Sequence, residues 1–387
     1  TMIKNRWAIF LSALANILAG ALFFAFLLLA DEPLFKDKVK NVLVLSSLLV
    51  TFSQMGRLFS FAAVSALNSR RGWGLYSAFV SLGAGFIMLY ISIRVFPLFI
   101  FPGAILMGFG HSLSNIELRT VATANDPAFP LSVFTVYSFI GWFLGVLIVG
   151  ISSCYSGFAP ITLTAATVSC FLIFTVVKKF ARKEPKKPAD EQPQIYWSPP
   201  NTFNKNITWI WIGVFLNSMQ VTLFNASIVV FIKSNLKLSN VGLSLVLGLV
   251  FFSGLILLLP SVAKRLGSLP QTKLWQAVQS LRLIATFIVL TTTALWVALL
   301  ALPVFGLLMN MGSICQLGAT RTMIEKERQK LAHSLTEIAA VAGGVAVTAL
   351  SAFGMAPAGL IAVLAFLLLF WFASTVTFKT TETTARI

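Results

Sequence analysis

The sequence predicts an all-α integral membrane protein of about twelve transmembrane helices arranged as two six-helix repeats. Three observations lead there. Hydrophobic residues make up 57% of the 387 and charged residues only 11%, against about a quarter charged in soluble domains, and mean hydropathy is +0.88. Apolar runs long enough to cross ~30 Å of hydrocarbon follow one another along the chain. Finally, Gly110, Arg119, Thr120, Ser132 and Gly141 recur 202 residues later as Gly312, Arg321, Thr322, Ser334 and Gly343, without a slip in register.

In the first half, the spans fall at 7–30, 40–68, 73–94, 97–123, 129–152 and 157–178. In the second, they fall at 207–232, 239–263, 272–292, 294–322, 333–353 and 357–378, with a tight turn at Thr291–Thr293. Runs this long and continuously apolar lack the alternation of an outer-membrane barrel, so helices are the assignment. The first span is too long for a signal peptide and has no cleavage pattern. Between the halves lies a basic, then proline-rich segment with Pro185, Pro188, Pro193, Pro199 and Pro200. Composition therefore divides the chain into a six-helix bundle at 1–178, a linker at 179–206 and a second bundle at 207–387.

The net charge of +17 would suggest nucleic acid in a soluble protein. Here, Lys4, Arg6, Arg70, Arg71, the linker lysines and arginines, Lys264, Arg265, Lys273, Lys326, Arg328 and Lys330 all fall on one side. The other side holds only Lys36, Lys38, Lys40, Arg94, Lys233 and Lys237. That bias predicts both termini in the cytoplasm, with contact to anionic lipid secondary and no nucleic-acid partner. Cys154, Cys170 and Cys315 show no paired spacing for a disulfide framework or metal site. No Walker loop, Gly-x-Ser-x-Gly elbow or His-Glu-x-x-His occurs, so neither an enzyme nor a cofactor is expected, and transport would run on a gradient rather than ATP.

Six plus six spans around a basic middle loop resemble the major facilitator superfamily, over essentially the whole chain. Leu259–Gly267, with Val262, Ala263, Lys264, Arg265 and Gly267, resembles that family's Gly-x-Leu-Ala-Asp-Arg-x-Gly loop; Ser69-Arg70-Arg71-Gly72 is a weaker copy. Both depart from it at the acidic position, where Lys264 and Ser69 stand. The glycine-rich fifth span (Gly141, Gly145, Gly150) is similar to the antiporter motif but lacks its Gly-Pro step. The resemblance implies a monomeric transporter working by alternating access, set in a bacterial inner membrane. It also implies a central cavity lined by spans one, four, seven and ten.

An ionisable residue within a span is a functional candidate by default. Arg57 lies near the middle of span two, and Ser46, Ser53 and Ser60 fall on one stripe with it, as in a polar face around a buried guanidinium. Guanidinium matches carboxylate and phosphate in two-point geometry, so Arg57 is a substrate anchor or else a structural group. An arginine in span two is similar to that of the nitrate/nitrite porters, though span eight has no partner arginine.

His111, Asn115 and Arg119 share a face of span four. Because Arg119 recurs as Arg321, those two arginines read as a gate. Glu117 and Glu337 are the acidic candidates for proton coupling, shared by His111 and His333 or replaced by helix-end pairing. Ser12 and Asn16 on span one, Asn217, Gln220 and Asn225 on span seven, and Ser313, Gln316 and Thr320 on span ten could line the cavity or serve as interhelical glue. Arg282, on a span usually peripheral in the family, is expected to be structural. Together these predict a proton-coupled carrier of a small anionic or amphipathic solute. The alternatives are an uncoupled nucleoside-type uniporter, a multidrug exporter, or a membrane scaffold that transports nothing.

Overall fold

The computed structural model describes residues 2–30, 42–67, 73–125, 131–153, 158–181, 205–259, 261–262, 265–266, 269–323 and 329–384. Among them no strand occurs, and twelve long helices follow in order. These are α1 (Met2–Ala30), α2 (Val42–Leu67), α3 (Trp73–Arg94), α4 (Ile100–Asn125), α5 (Leu131–Ser152) and α6 (Phe158–Ala181). The second six are α7 (Lys205–Ser227), α8 (Asn240–Phe252), α9 (Gln271–Thr291), α10 (Leu295–Met323), α11 (Gln329–Ala352) and α12 (Pro357–Thr384). Nine helical stretches are long and apolar enough to cross a membrane, and three shorter apolar helices (Tyr137–Ser152, Ala166–Lys178, Thr336–Ala352) complete the twelve.

Local chemistry sets the breaks. Pro97 opens a 3-10 turn, Pro97–Phe99, ahead of α4, because proline needs no amide partner there. Ser239 accepts from the amide of Gly242 at 3.1 Å and caps α8. The sequence predicts a turn at Thr291–Thr293, and α9 does end there: Thr292 turns extended and its hydroxyl takes the amide of Ala294 at 3.1 Å. Gly354, at φ +83°, lets α11 turn back into Pro357 at the head of α12. Span eight departs from a continuous helix over 239–263. The α-helix stops at Phe252 and a 3-10 segment carries Ser253–Leu258. In the long tenth helix Pro303 sits inside the run.

The repeat is visible in packing as well as sequence. Gly141 of α5 lies against the carbonyl of Ala13, and a Cβ there would stand 3.0 Å from that of Asn16. Gly343 of α11 lies against the carbonyl of Phe215, 2.9 Å from Cβ of Ser218. Each atom in the second set is 202 residues from its counterpart. Between helices in lipid there is little hydrophobic drive, so close packing over small residues is what holds them. The copied glycines are the means.

Two apolar clusters result. One joins α1, α3 and α4 through Leu22, Phe79, Leu82 and Met107. The other belongs to the second half but draws in Phe24, Leu27 and Leu28 of α1 and Val146 of α5. Its anchor is a tryptophan triad. Trp209 stacks on Trp371 at 4.7 Å between ring centroids, Trp275 meets both edge-on, and Trp371 Nε1 donates to the Trp209 carbonyl at 3.0 Å. The triad locks α7, α9 and α12 together, with Gly213 beneath the rings of Trp275 and Trp371.

Candidate functional site

The polar groups inside the spans form three assemblies, each placed by a different helix contact. The first joins the two halves. Along α2 and the antiparallel α11, Thr51 Oγ1 lies 3.1 Å from Thr348 Oγ1, and the amide of Gln54 lies against Gly344. Further along the same contact, Arg57 Nη2 donates to Glu337 Oε1 at 3.1 Å. Gln54 also donates to Thr222 of α7 at 3.2 Å. The Arg57 side chain is 42% exposed and that of Glu337 14%, so the guanidinium remains reachable while the carboxylate is mostly enclosed. Among the described residues, Glu337 Oε2 is buried and has no hydrogen-bond partner.

This corrects the reading of Arg57 at the centre of a serine face. Ser60 donates to the carbonyl of Arg57 and to Ser112 of α4, at 2.6 and 2.8 Å. Ser46 is fully buried, and the carbonyl of Ser53 is pressed against Gly108 of α4. The serines pack helix to helix within the first half. The residues that α2 turns to the other half are Thr51, Gln54 and Arg57. Elsewhere, α5 and α8 join the halves through Phe143 on Phe252 at 4.7 Å and through Gly150 beside Ser244.

The second assembly lies within the first half. Asn16 Nδ2 donates to the carbonyl of Ser12 at 2.7 Å and to Asn115 Oδ1 at 3.3 Å. Its Oδ1 sits 2.9 Å from His111 Nε2, and the same ring nitrogen is 2.9 Å from Asn115 Nδ2. One ring nitrogen either donates or accepts, so Nε2 satisfies Asn16 or Asn115 and not both. Ser12 and Ser138 bond at 3.0 Å beside it. An aromatic wall continues from His111 to Trp142 at 4.9 Å and on to Phe23 at 5.5 Å. This cluster follows the stripes expected for spans one and four.

The third assembly is one that sequence reasoning missed. Arg282, expected to be structural on a span usually peripheral in the family, is 1% exposed. Its Nε donates to Gln220 Oε1 and its Nη2 to Gln279 Oε1, both at 2.7 Å. Gln220 and Gln279 in turn donate to the carbonyls of Gln279 and Gly213, at 3.3 and 3.1 Å. Gln220, expected to line the cavity, is therefore fully buried between α7 and α9. Among the described residues no carboxylate pairs with Arg282.

The remaining candidates are more scattered. Asn217, Asn225 and Gln316 are half-buried, and Asn225 stands just before a π turn, Ile228–Ile232, that extends α7. Glu117 is not beside Glu337. Its carboxylate lies against Gly74, the second residue of α3, where a helix N-terminus favours negative charge. Arg119 and Arg321 fall near the ends of α4 and α10. Their side chains, like that of His333 and like the linker 182–204, lie outside those described. No three His, Cys, Asp or Glu side chains converge among the described residues.

Twelve apolar helices with charged and amide groups buried between them define an integral, multi-pass membrane protein. No family model matches the sequence, and no curated protein matches it. Solved structures match along nearly the entire chain. The nucleoside transporter NupG aligns at 14% identity over 97% of this chain and 99% of that one, with a TM-score of 0.69. A bacterial metal transporter aligns at 14% over 97% and 99%, with 0.64. A bacterial homologue of the iron transporter ferroportin, in an inward-facing state, aligns at 14% over 97% and 99%, with 0.60. Identity this low carries the fold alone: the chain has the major facilitator fold.

Proposed function

We propose that this protein is a proton-coupled secondary transporter of a small organic anion or acidic amphipathic solute. One observation carries the reading: the only ion pair among the described residues joins the two halves, between Arg57 of α2 and Glu337 of α11. Glu337 and an anionic substrate compete for one guanidinium. When Glu337 ionises, it holds Arg57 and ties α2 to α11. When it takes a proton on its unpartnered oxygen, Arg57 is released to a substrate carboxylate, which it matches in two-point geometry. A proton and a substrate anion thus enter together, and the pair re-forms once both leave. Coupling requires a difference in binding between states, and here the state with the pair intact is the one that excludes substrate.

In this reading the bundles 1–178 and 207–387 rock about that site, with both termini in the cytoplasm of a bacterial inner membrane and the chain acting as a monomer. Arg119 and Arg321 belong to the gate. Glu117, against the start of α3, has a structural role, which leaves the proton to Glu337.

The test is uptake into proteoliposomes under an imposed pH gradient, across a panel of organic acids and nucleosides. Accumulation of an acid that collapses with the gradient, and is lost in Arg57→Gln, is the expected result. Acids that neither accumulate nor move protons would sink the proposal.

A second reading has its own observation. The Asn16–His111–Asn115 triangle joins two amides to one imidazole and abuts Trp142. Amides beside an aromatic face suit a neutral heterocycle, as in a nucleoside-type uniporter. Uptake of a nucleoside, independent of the gradient, kept in Arg57→Gln and lost in Asn115→Ala, would select it.

A further inference from the structure

The stripe of α7 that meets the other half does not end at Thr222. Trp211, Phe215, Ser218 and Thr222 stand at i, i+4, i+7 and i+11, so they share one face of the helix. Ser218 donates to the carbonyl of Ala340 on α11, 122 residues on. Thr222 and Gly344 keep that spacing, and both meet Gln54. A constant offset means that α7 and α11 run side by side in the same direction. The next pair in this register is Phe215 and Glu337. Two turns from the Gln54 contact, an aromatic ring on α7 therefore lies level with the carboxylate that Arg57 holds.

Exposure along the seam rises in the same direction. Thr222, Ser218, Gln54 and Gly344 are buried. Phe215 and Trp211 are half-buried, and the Arg57 side chain is accessible. The two rings pack on the second-half core and lie 5.8 Å apart between centroids, with planes 9° from parallel. Parallel rings at that spacing are offset, and a third flat ring can stack on them in the same orientation. Axes of packed helices lie about 8–10 Å apart. A ring on α7 and a carboxylate on Arg57 therefore fit one small molecule with a short arm between them.

We infer that the carried acid is an aryl carboxylate, its carboxylate on Arg57 and its flat ring on Trp211 and Phe215. The inference rests on the Arg57–Glu337 reading and names the part of the solute that reading leaves open. Trp211 and Phe215 are then the residues that set specificity, and Arg57 is the anchor.

The test compares acids that differ only in the ring. Benzoate and phenylacetate are titrated against cyclohexanecarboxylate and cyclohexylacetate by calorimetry, into full-length protein in lipid nanodiscs. Empty nanodiscs supply the blank for partition into lipid. The saturated acids are the more apolar, so burial alone would favour them. Ring stacking is expected to make the aryl acids bind about three- to tenfold more tightly. In Trp211→Leu with Phe215→Leu that ratio is expected to fall to about one, and each single variant to lower it in part. Circular dichroism shows whether the variants fold, and the wild-type ratio tests the inference without them. Equal affinities in the two series, or a ring preference that survives the double variant, overturn the inference. If both series bind equally and both are lost in Arg57→Gln, the anchor stands and the ring site falls. If neither series binds, in wild type or in Glu337→Gln, the anchor falls and takes the ring site with it.

Discussion

Where the first half has Leu82, the second half has Arg282. Gly110 of α4 packs on Ala78 and Leu82, and Gly312 of α10 faces Val278 and Arg282. The helices correspond, but the contents differ. The first contact is apolar and shut; the second holds a buried charge and admits a Cβ. Conversely, the first half carries the Asn16–His111–Asn115 triangle, and the positions 202 residues on are Ser218, Ser313 and Leu317. The two halves have kept the close glycine contact of Gly141 and Gly343 while differing at Gly110 and Gly312 and in the polar groups named above. Symmetry here describes the scaffold, and function has to be sought where the copies disagree.

The largest effect that would break this comparison is Arg282→Leu. A leucine already fits the equivalent place in the first half, so the cost is polar: two buried glutamine oxygens lose their donors, at about 1–3 kcal/mol each. A loss of about 2–5 kcal/mol in unfolding free energy is expected. Replacing Gln220 and Gln279 by leucine as well is expected to recover most of it, because a whole buried polar network can be exchanged for apolar packing at little net cost. If the triple variant is no better than the single one, the second half does not tolerate the arrangement of the first.

Gly110→Ala against Gly312→Ala sharpens the same contrast. The first forces a methyl into the Ala78 carbonyl, and overpacking of this kind costs about 1–3 kcal/mol. The second is expected to change stability by less than about 0.5 kcal/mol. Equal thermal shifts in the two variants would contradict the difference in space. The smallest effect concerns the tryptophan triad of the second half. Trp371→Phe keeps most of the ring contact and removes one hydrogen bond to the Trp209 carbonyl, for a loss of about 1 kcal/mol read from the same unfolding curves.

The architecture was legible because lipid imposes long apolar helices, and because the 202-residue echo includes Gly141 and Gly343, which set matching helix contacts. The end of span eight was not legible, since nothing in the residues Ser253–Leu258 distinguishes 3-10 from α winding. The triangle could be read from the four-residue steps Ser12–Asn16 and His111–Asn115, which put polar groups on one face of each helix. Helical spacing misled at Arg57. It grouped Ser46, Ser53 and Ser60 correctly, but could not say that their stripe faces α4 rather than the other half. Glu337 as its partner was out of reach, because 280 residues separate the two and only tertiary packing brings α2 to α11. The glutamine partners of Arg282, itself expected to be structural, were missed for a similar reason. Periodicity on α9 alone does not reveal that Gln220 of α7 reaches across to it.

The central claim is that Glu337 carries the proton that frees Arg57, and Glu337→Gln tests it most directly. Gln cannot ionise, so it mimics the protonated side chain and leaves Arg57 open to substrate. Once a transported acid is identified, proteoliposomes with this variant are to be assayed for exchange of labelled against unlabelled substrate and for accumulation under a pH gradient. The account predicts that exchange persists and gradient-driven accumulation disappears. Accumulation at the wild-type level in Glu337→Gln would contradict it.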